Sequence, residues 1–105
     1  MTTETKTEHP HIVMTPGVCG GRARIAGSRI AVDFVARYLQ SGIDAKELLE
    51  MYPHLKPAAV HDAISYYYDH QADVDRFNAE NTMEALAKRY NFEIGDNGLL
   101  VFKDN

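Results

Sequence analysis

Residues 15–30, TPGVCGGRARIAGSRI, hold four of the chain's seven glycines, its single cysteine and three arginines. No helix or long strand can run unbroken through such a segment. Gly20-Gly21 takes up positive φ at no steric cost, so the chain can reverse sharply there. Ala26-Gly27 offers a second reversal, with Arg24-Ile25 before it and Arg29-Ile30 after it. The segment reads as a small β-ribbon whose Ile25 and Ile30 point inward while its arginines point outward. A basic ribbon set directly before helices suggests a binding module rather than an enzyme.

The helices follow at once. Val32, Val35, Tyr38 and Leu39 recur at helical spacing, and Gly42 marks the stop. Asp44 with Glu47 three residues on is a capping pair for a second, short helix carrying Leu48, Leu49, Met51 and Tyr52, which Pro53 ends. Pro57 suits the first turn of a third helix, on which Val60, Ala63, Ile64, Tyr67 and Tyr68 form a stripe. Ahead of the ribbon, residues 11–14 are β-prone and pair with it, and residues 1–10 read as a disordered leader of threonines and charges. Residues 11–70 thus form a β-ribbon with a tri-helical core, and residues 71–105 a C-terminal extension. In that extension residues 70–79 continue as helix, and Asn81 with Glu84 caps a further one. Residues 92–102 form a β-hairpin about Asp96-Asn97-Gly98. The fold class expected is α+β, mainly α.

At 105 residues, 45% hydrophobic and 25% charged, the chain makes one ordinary globular domain, small enough to gain from dimerisation. It has no membrane-length apolar run and no signal-peptide core, so a cytoplasmic protein is expected. One cysteine excludes an intrachain disulfide. The net charge of −4 opposes nucleic-acid binding, but residues 15–60 carry six basic against four acidic groups, and residues 61–105 four against nine. A local basic footprint on an acidic molecule is therefore possible.

Pro16-Gly-Val-Cys-Gly-Gly-Arg22, Arg24-Ile-Ala-Gly-Ser-Arg-Ile30, Leu48-Leu-Glu-Met-Tyr-Pro53 and the stripe from Val60 to Tyr67 together resemble domain-of-unknown-function family 433. This small bacterial family has helix-turn-helix character and is similar to VapB-type antitoxins, often encoded beside a PIN-like nuclease toxin. The resemblance implies an antitoxin-like regulator that binds operator DNA, neutralises such a toxin and represses its own operon. It does not extend to residues 81–102. The alternative is a protein-interaction module of the same fold without DNA binding.

In a helix-turn-helix the second helix of the pair enters the major groove. That helix offers Lys56 and, when protonated, His61 to phosphate, whereas Asp62 repels it, and no Arg, Asn or Gln stands ready for a bidentate base contact. Arg22, Arg24 and Arg29 of the ribbon are the better phosphate or minor-groove candidates. They suit ion pairs with Asp33, Asp44 or the acidic tail equally well. Tyr66, Phe77, Met83 and Leu86 supply the expected partner surface for a toxin or a second copy in a homodimer, with packing under the C-terminal helix an equal alternative for Tyr66. Cys19 reads as a small semi-buried residue. The five histidines complete no metal-ligand pattern, and neither metal nor cofactor is expected.

Overall fold

The computed structural model describes residues 4–96 and 98–103. Asn97 of the expected hairpin turn lies outside them, as do residues 1–3 of the leader. Two small antiparallel sheets flank five helices. In the first sheet β1 (Thr5–Lys6) pairs with β2 (Ile12–Met14), and β2 pairs with β3 (Arg24–Ile25), placing Ile12 opposite Ile25 and Val13 opposite Arg24. The ribbon turns where the glycines allow. Gly20 and Gly21 lie at φ 66° and 80° within a 3-10 turn, and Gly27 at 78°. The Ile25 amide donates to the Ile30 carbonyl, closing the Ala26-Gly27 reversal and sending both isoleucines into the core.

The helical core is α1 (Val32–Gln40), α2 (Ala45–Met51) and α3 (Pro57–Asp69), with α3 packed on both others. Asp44 and Glu47 exchange both hydrogen bonds of a capping box, worth about 1 kcal/mol. Phe34, Val35, Leu48, Val60 and Ala63 are fully enclosed between these helices and the ribbon. Then α4 (Gln71–Glu80) sets off in a new direction, because His70 leaves helical geometry at φ −126°, ψ 32°. It packs on α1 without burying any residue completely. Next, α5 (Met83–Tyr90) leads into the hairpin of β4 (Phe92–Ile94) and β5 (Leu100–Phe102), with Phe92 opposite Phe102.

Two local expectations are corrected. Thr82, not Asn81, caps α5, accepting from the Ala85 amide at 3.1 Å. Asn81 is committed to the preceding helix, where its side-chain amide donates to the Phe77 carbonyl at 2.9 Å. Residues 4–10 are structured rather than a disordered leader, since their polar groups find partners in the fold. The Thr7 hydroxyl donates to the Ile12 carbonyl at 2.8 Å, and His9 is buried against α3.

A tyrosine pair ties the hairpin to the core. The Tyr38 and Tyr52 hydroxyls lie 2.6 Å apart, Tyr38 donates to the Gly98 carbonyl, and Tyr52 accepts from the Leu100 amide at 2.8 Å. Burial pushes both phenols up.

Candidate functional site

The turn of the ribbon and the α2–α3 connection come together at the start of α3. Two shallow depressions meet there, of about 180 Å³ and 260 Å³, sharing Gly27 and His54. His11 and Lys56 line the first, Arg29 the second, and no Asp or Glu lines either among the described residues. Lys56, Ala58 and His61 are exposed. The first turn of α3 carries no acidic side chain, so the positive end of its dipole is left uncompensated by its own residues. The acids of α2 stand elsewhere, Glu47 and Glu50 lining a separate depression with Ile43 and Met51.

Asp62, expected to repel phosphate from α3, does not face outward. One of its oxygens meets His9 Nδ1 at 2.7 Å, and the other accepts from the His11 amide at 2.8 Å. Its charge is spent on the N-terminal segment, which leaves Lys56 and His61 in a more favourable field than the sequence implied. Arg29 extends over the Phe102 ring at 4.9 Å and remains exposed.

The other two ribbon arginines take the interior alternative, Arg22 pairing with Asp33 as the sequence allowed, rather than forming an outward basic face. Arg24 is only 7% exposed and donates to the Ser28 carbonyl at 2.8 Å and the Thr15 hydroxyl at 2.9 Å, with Glu4 at 3.5 Å. It braces the ribbon from inside. Arg22 lies under the C-terminal extension. Its guanidinium is 5.1 Å from the Phe34 and Phe77 ring centres and 4.8 Å from that of Tyr90. Its Nε donates to the Cys19 carbonyl, and its Nη1 approaches Asp33 at 3.4 Å, an ion pair without a formed hydrogen bond. Both arginines point inward because β1 and the α4–α5 extension cover the ribbon's outer face. Neither offers a guanidinium to phosphate.

The box around Arg22 is costly. Arg22 Nη1 and Nη2, Asp33 Oδ1, Arg37 Nε and Asn78 Oδ1 are all buried without a hydrogen-bond partner among the described residues. Burial pushes the Asp33 carboxyl up, against the pull of Arg22 and Arg37. Burial likewise lowers Arg37, which donates to the Asn78 and Asn81 carbonyls and so fastens α1 to the end of α4.

Tyr66, Phe77, Met83 and Leu86 do not gather into an outward surface. Leu86 and Tyr66 are buried, and Phe77 and Met83 lie partly buried against the same core. Tyr66 stacks on His70 with ring centres 4.2 Å apart and meets the edge of His9. The Cys19 thiol, pushed up by burial, donates to the Arg29 carbonyl at 3.4 Å, the reverse of an activated nucleophile.

A second cluster was not legible in the sequence. His9 is held at both ring nitrogens, Nδ1 by Asp62 and Nε2 by Asp69, each at 2.7 Å. Burial alone would lower its pKa, but the hydrogen bonds to the two aspartates raise it overall. His70 Nε2 stands 3.1 Å from Glu8. These partners are more than fifty residues apart along the chain, and only their residue types hinted at them. Glu8, His9 and Asp69 each bring a ligand atom within 4.8 Å of the others, so this corner could hold a metal ion.

Comparison with known proteins places the chain. Residues 12–67 match the family described as "Protein of unknown function (DUF433)". The fold is similar to a crystal structure of a DUF433 member protein from Anabaena variabilis ATCC 29413, at 43% identity and a TM-score of 0.62. That similarity covers 66% of this chain and 68% of the other. No curated protein matches the chain.

Proposed function

We propose that this chain, which belongs to the DUF433 family, is a DNA-binding regulator of antitoxin type that docks the start of α3 and the ribbon turn on duplex DNA. One observation carries the proposal: Arg29, His54 and Lys56 line two adjoining depressions that no carboxylate lines among the described residues, and His61 is exposed further along α3. A helix N-terminus with neighbouring cations suits phosphate, and small residues such as Ala58 let the helix approach base edges closely. In this arrangement α3 is the reading helix and Arg29 steadies the duplex from the side. The weight shifts from the ribbon arginines to α3, because Arg22 and Arg24 are committed to the interior. A homodimer on a two-fold operator in the cytoplasm, with a PIN-like nuclease as the captured toxin, follows from the likeness to VapB-type antitoxins.

The test is fluorescence anisotropy of a labelled duplex from upstream of the protein's own gene, at about 50 and 200 mM salt. The slope of log affinity against log salt should fall by about 0.9 for each phosphate contact removed in Arg29→Ala and Lys56→Ala. Unchanged slopes in both variants would move the interface elsewhere. Absence of binding by the unaltered protein at the lower salt would overturn DNA recognition and favour the protein-interaction module.

A further inference from the structure

We propose that Glu8, His9 and Asp69 form a binding site for a divalent transition-metal ion of the zinc type, with His70 at its edge. The site is built from two Glu/Asp–His pairs brought together from opposite ends of the core, Glu8-His9 before β2 and Asp69-His70 at the end of α3. Glu8, His9 and Asp69 offer one ligand atom each within 4.8 Å of one another, and His70 Nε2 lies 3.1 Å from the Glu8 carboxylate. A tetrahedral ion with bonds near 2.0–2.2 Å spaces its ligand atoms about 3.4 Å apart. The cluster therefore needs only small side-chain shifts to close on one. Two carboxylates with one or two imidazoles neutralise a divalent charge and suit zinc better than calcium or magnesium, which prefer oxygen alone.

Two features separate this cluster from a chance gathering of surface charges. His9 is 8% exposed and cannot swing into solvent, whereas the Glu8 and Asp69 side chains are more than half exposed, at 59% and 57%, and leave an entry path. Asp62 accepts a hydrogen bond from His9 Nδ1–H at 2.7 Å and accepts a second from the His11 amide, which fixes it. Nε2 shares its proton with Asp69 at 2.7 Å, and an entering metal ion would take that proton's place between the two, giving the carboxylate–histidine–metal arrangement that orients ligands in zinc proteins. Bound metal would clamp the N-terminal segment to the end of α3. The proposal is independent of DNA binding.

Zn²⁺ is titrated into the tag-free protein in competition with a chromophoric chelator, and thermal unfolding is followed with Zn²⁺ or with EDTA. One equivalent per chain and a Zn²⁺-dependent rise in melting temperature are expected. The exposed substitutions Glu8→Gln and Asp69→Asn should each weaken Zn²⁺ at least tenfold and abolish the rise, which is read for each variant against its own melt in EDTA. Asp62→Asn should weaken it about 10- to 100-fold without removing a ligand. His54→Ala/His61→Ala should bind as the unaltered protein does. The proposal is overturned if the unaltered protein takes up no Zn²⁺. It is equally overturned if Glu8→Gln and Asp69→Asn bind Zn²⁺ undiminished, or if the His54/His61 variant loses it.

Discussion

Replacing Arg22 by alanine strips the fold of the cation that ties ribbon, α1 and C-terminal extension together. The side chain meets three aromatic rings at about 5 Å and stands 3.4 Å from an Asp33 side chain that is only 7% exposed. Leaving a buried ion without its partner costs about 3–5 kcal/mol. Arg37, whose charge also acts on Asp33, remains in place and keeps the loss to about 4 kcal/mol at pH 7.5. That is a large share of the roughly 5–15 kcal/mol that holds a domain of this size.

The loss depends on pH with a definite sign. Burial raises Asp33 above its unfolded value, so its contribution to the fold is greatest when protonated, below about pH 4. That contribution fades as pH rises through the folded value. Without Arg22 the carboxyl rises further, and the penalty deepens toward neutral pH. At about pH 3, below the usual carboxylate range, Asp33 is protonated with or without Arg22, and only the ring contacts are missed, about 0.5–1 kcal/mol each, or about 2 kcal/mol together. Urea unfolding followed by circular dichroism at both pH values measures the two losses. Arg22→Met with Asp33→Asn should lose less at pH 7.5 than Arg22→Ala alone. Equal losses at the two pH values, or a loss below about 1 kcal/mol at pH 7.5, would refute the reasoning.

Tyr52→Phe deprives the Leu100 amide of its buried acceptor, so it should cost about 1–3 kcal/mol in urea unfolding and speed exchange of that amide. Gly20→Ala places a methyl 2.2 Å from the Tyr90 hydroxyl at a backbone φ of 66°. A loss of about 1–2 kcal/mol from the backbone alone is expected, and tryptic cleavage after Arg89 should quicken as α5 lifts. Cys19 should react with a disulfide reagent at pH 7.5 only in denaturant, because burial pushes its thiol up; fast labelling of the folded protein would contradict its placement.

The ribbon, the three core helices and the hairpin were legible because each is a local pattern. Gly20, Gly27 and Gly42 occupy the positive-φ positions that the turns demand, and Asp44 with Glu47 marks the start of α2. The fate of the arginines was not legible. Alternation along an extended chain says which residues share a face, but what covers that face is decided by β1 and α5, distant in sequence. Arg24 shows this most plainly, buried beside Ile25 because Thr15 at the ribbon's start and Glu4 from before it meet its guanidinium. Asp62 misled for the same reason. Its helix position is readable, but its partners His9 and His11 lie 53 and 51 residues earlier, the first of them in a leader whose composition argued for disorder.

The central claim, that DNA is met by the start of α3 with the ribbon turn, is tested most directly by mapping amide chemical shifts. The ¹⁵N-labelled protein is titrated with the upstream duplex at low salt. The account predicts that perturbations concentrate at residues 26–29 and 54–62 and spare residues 71–90. Shifts confined to the C-terminal extension, or none at all, would contradict it.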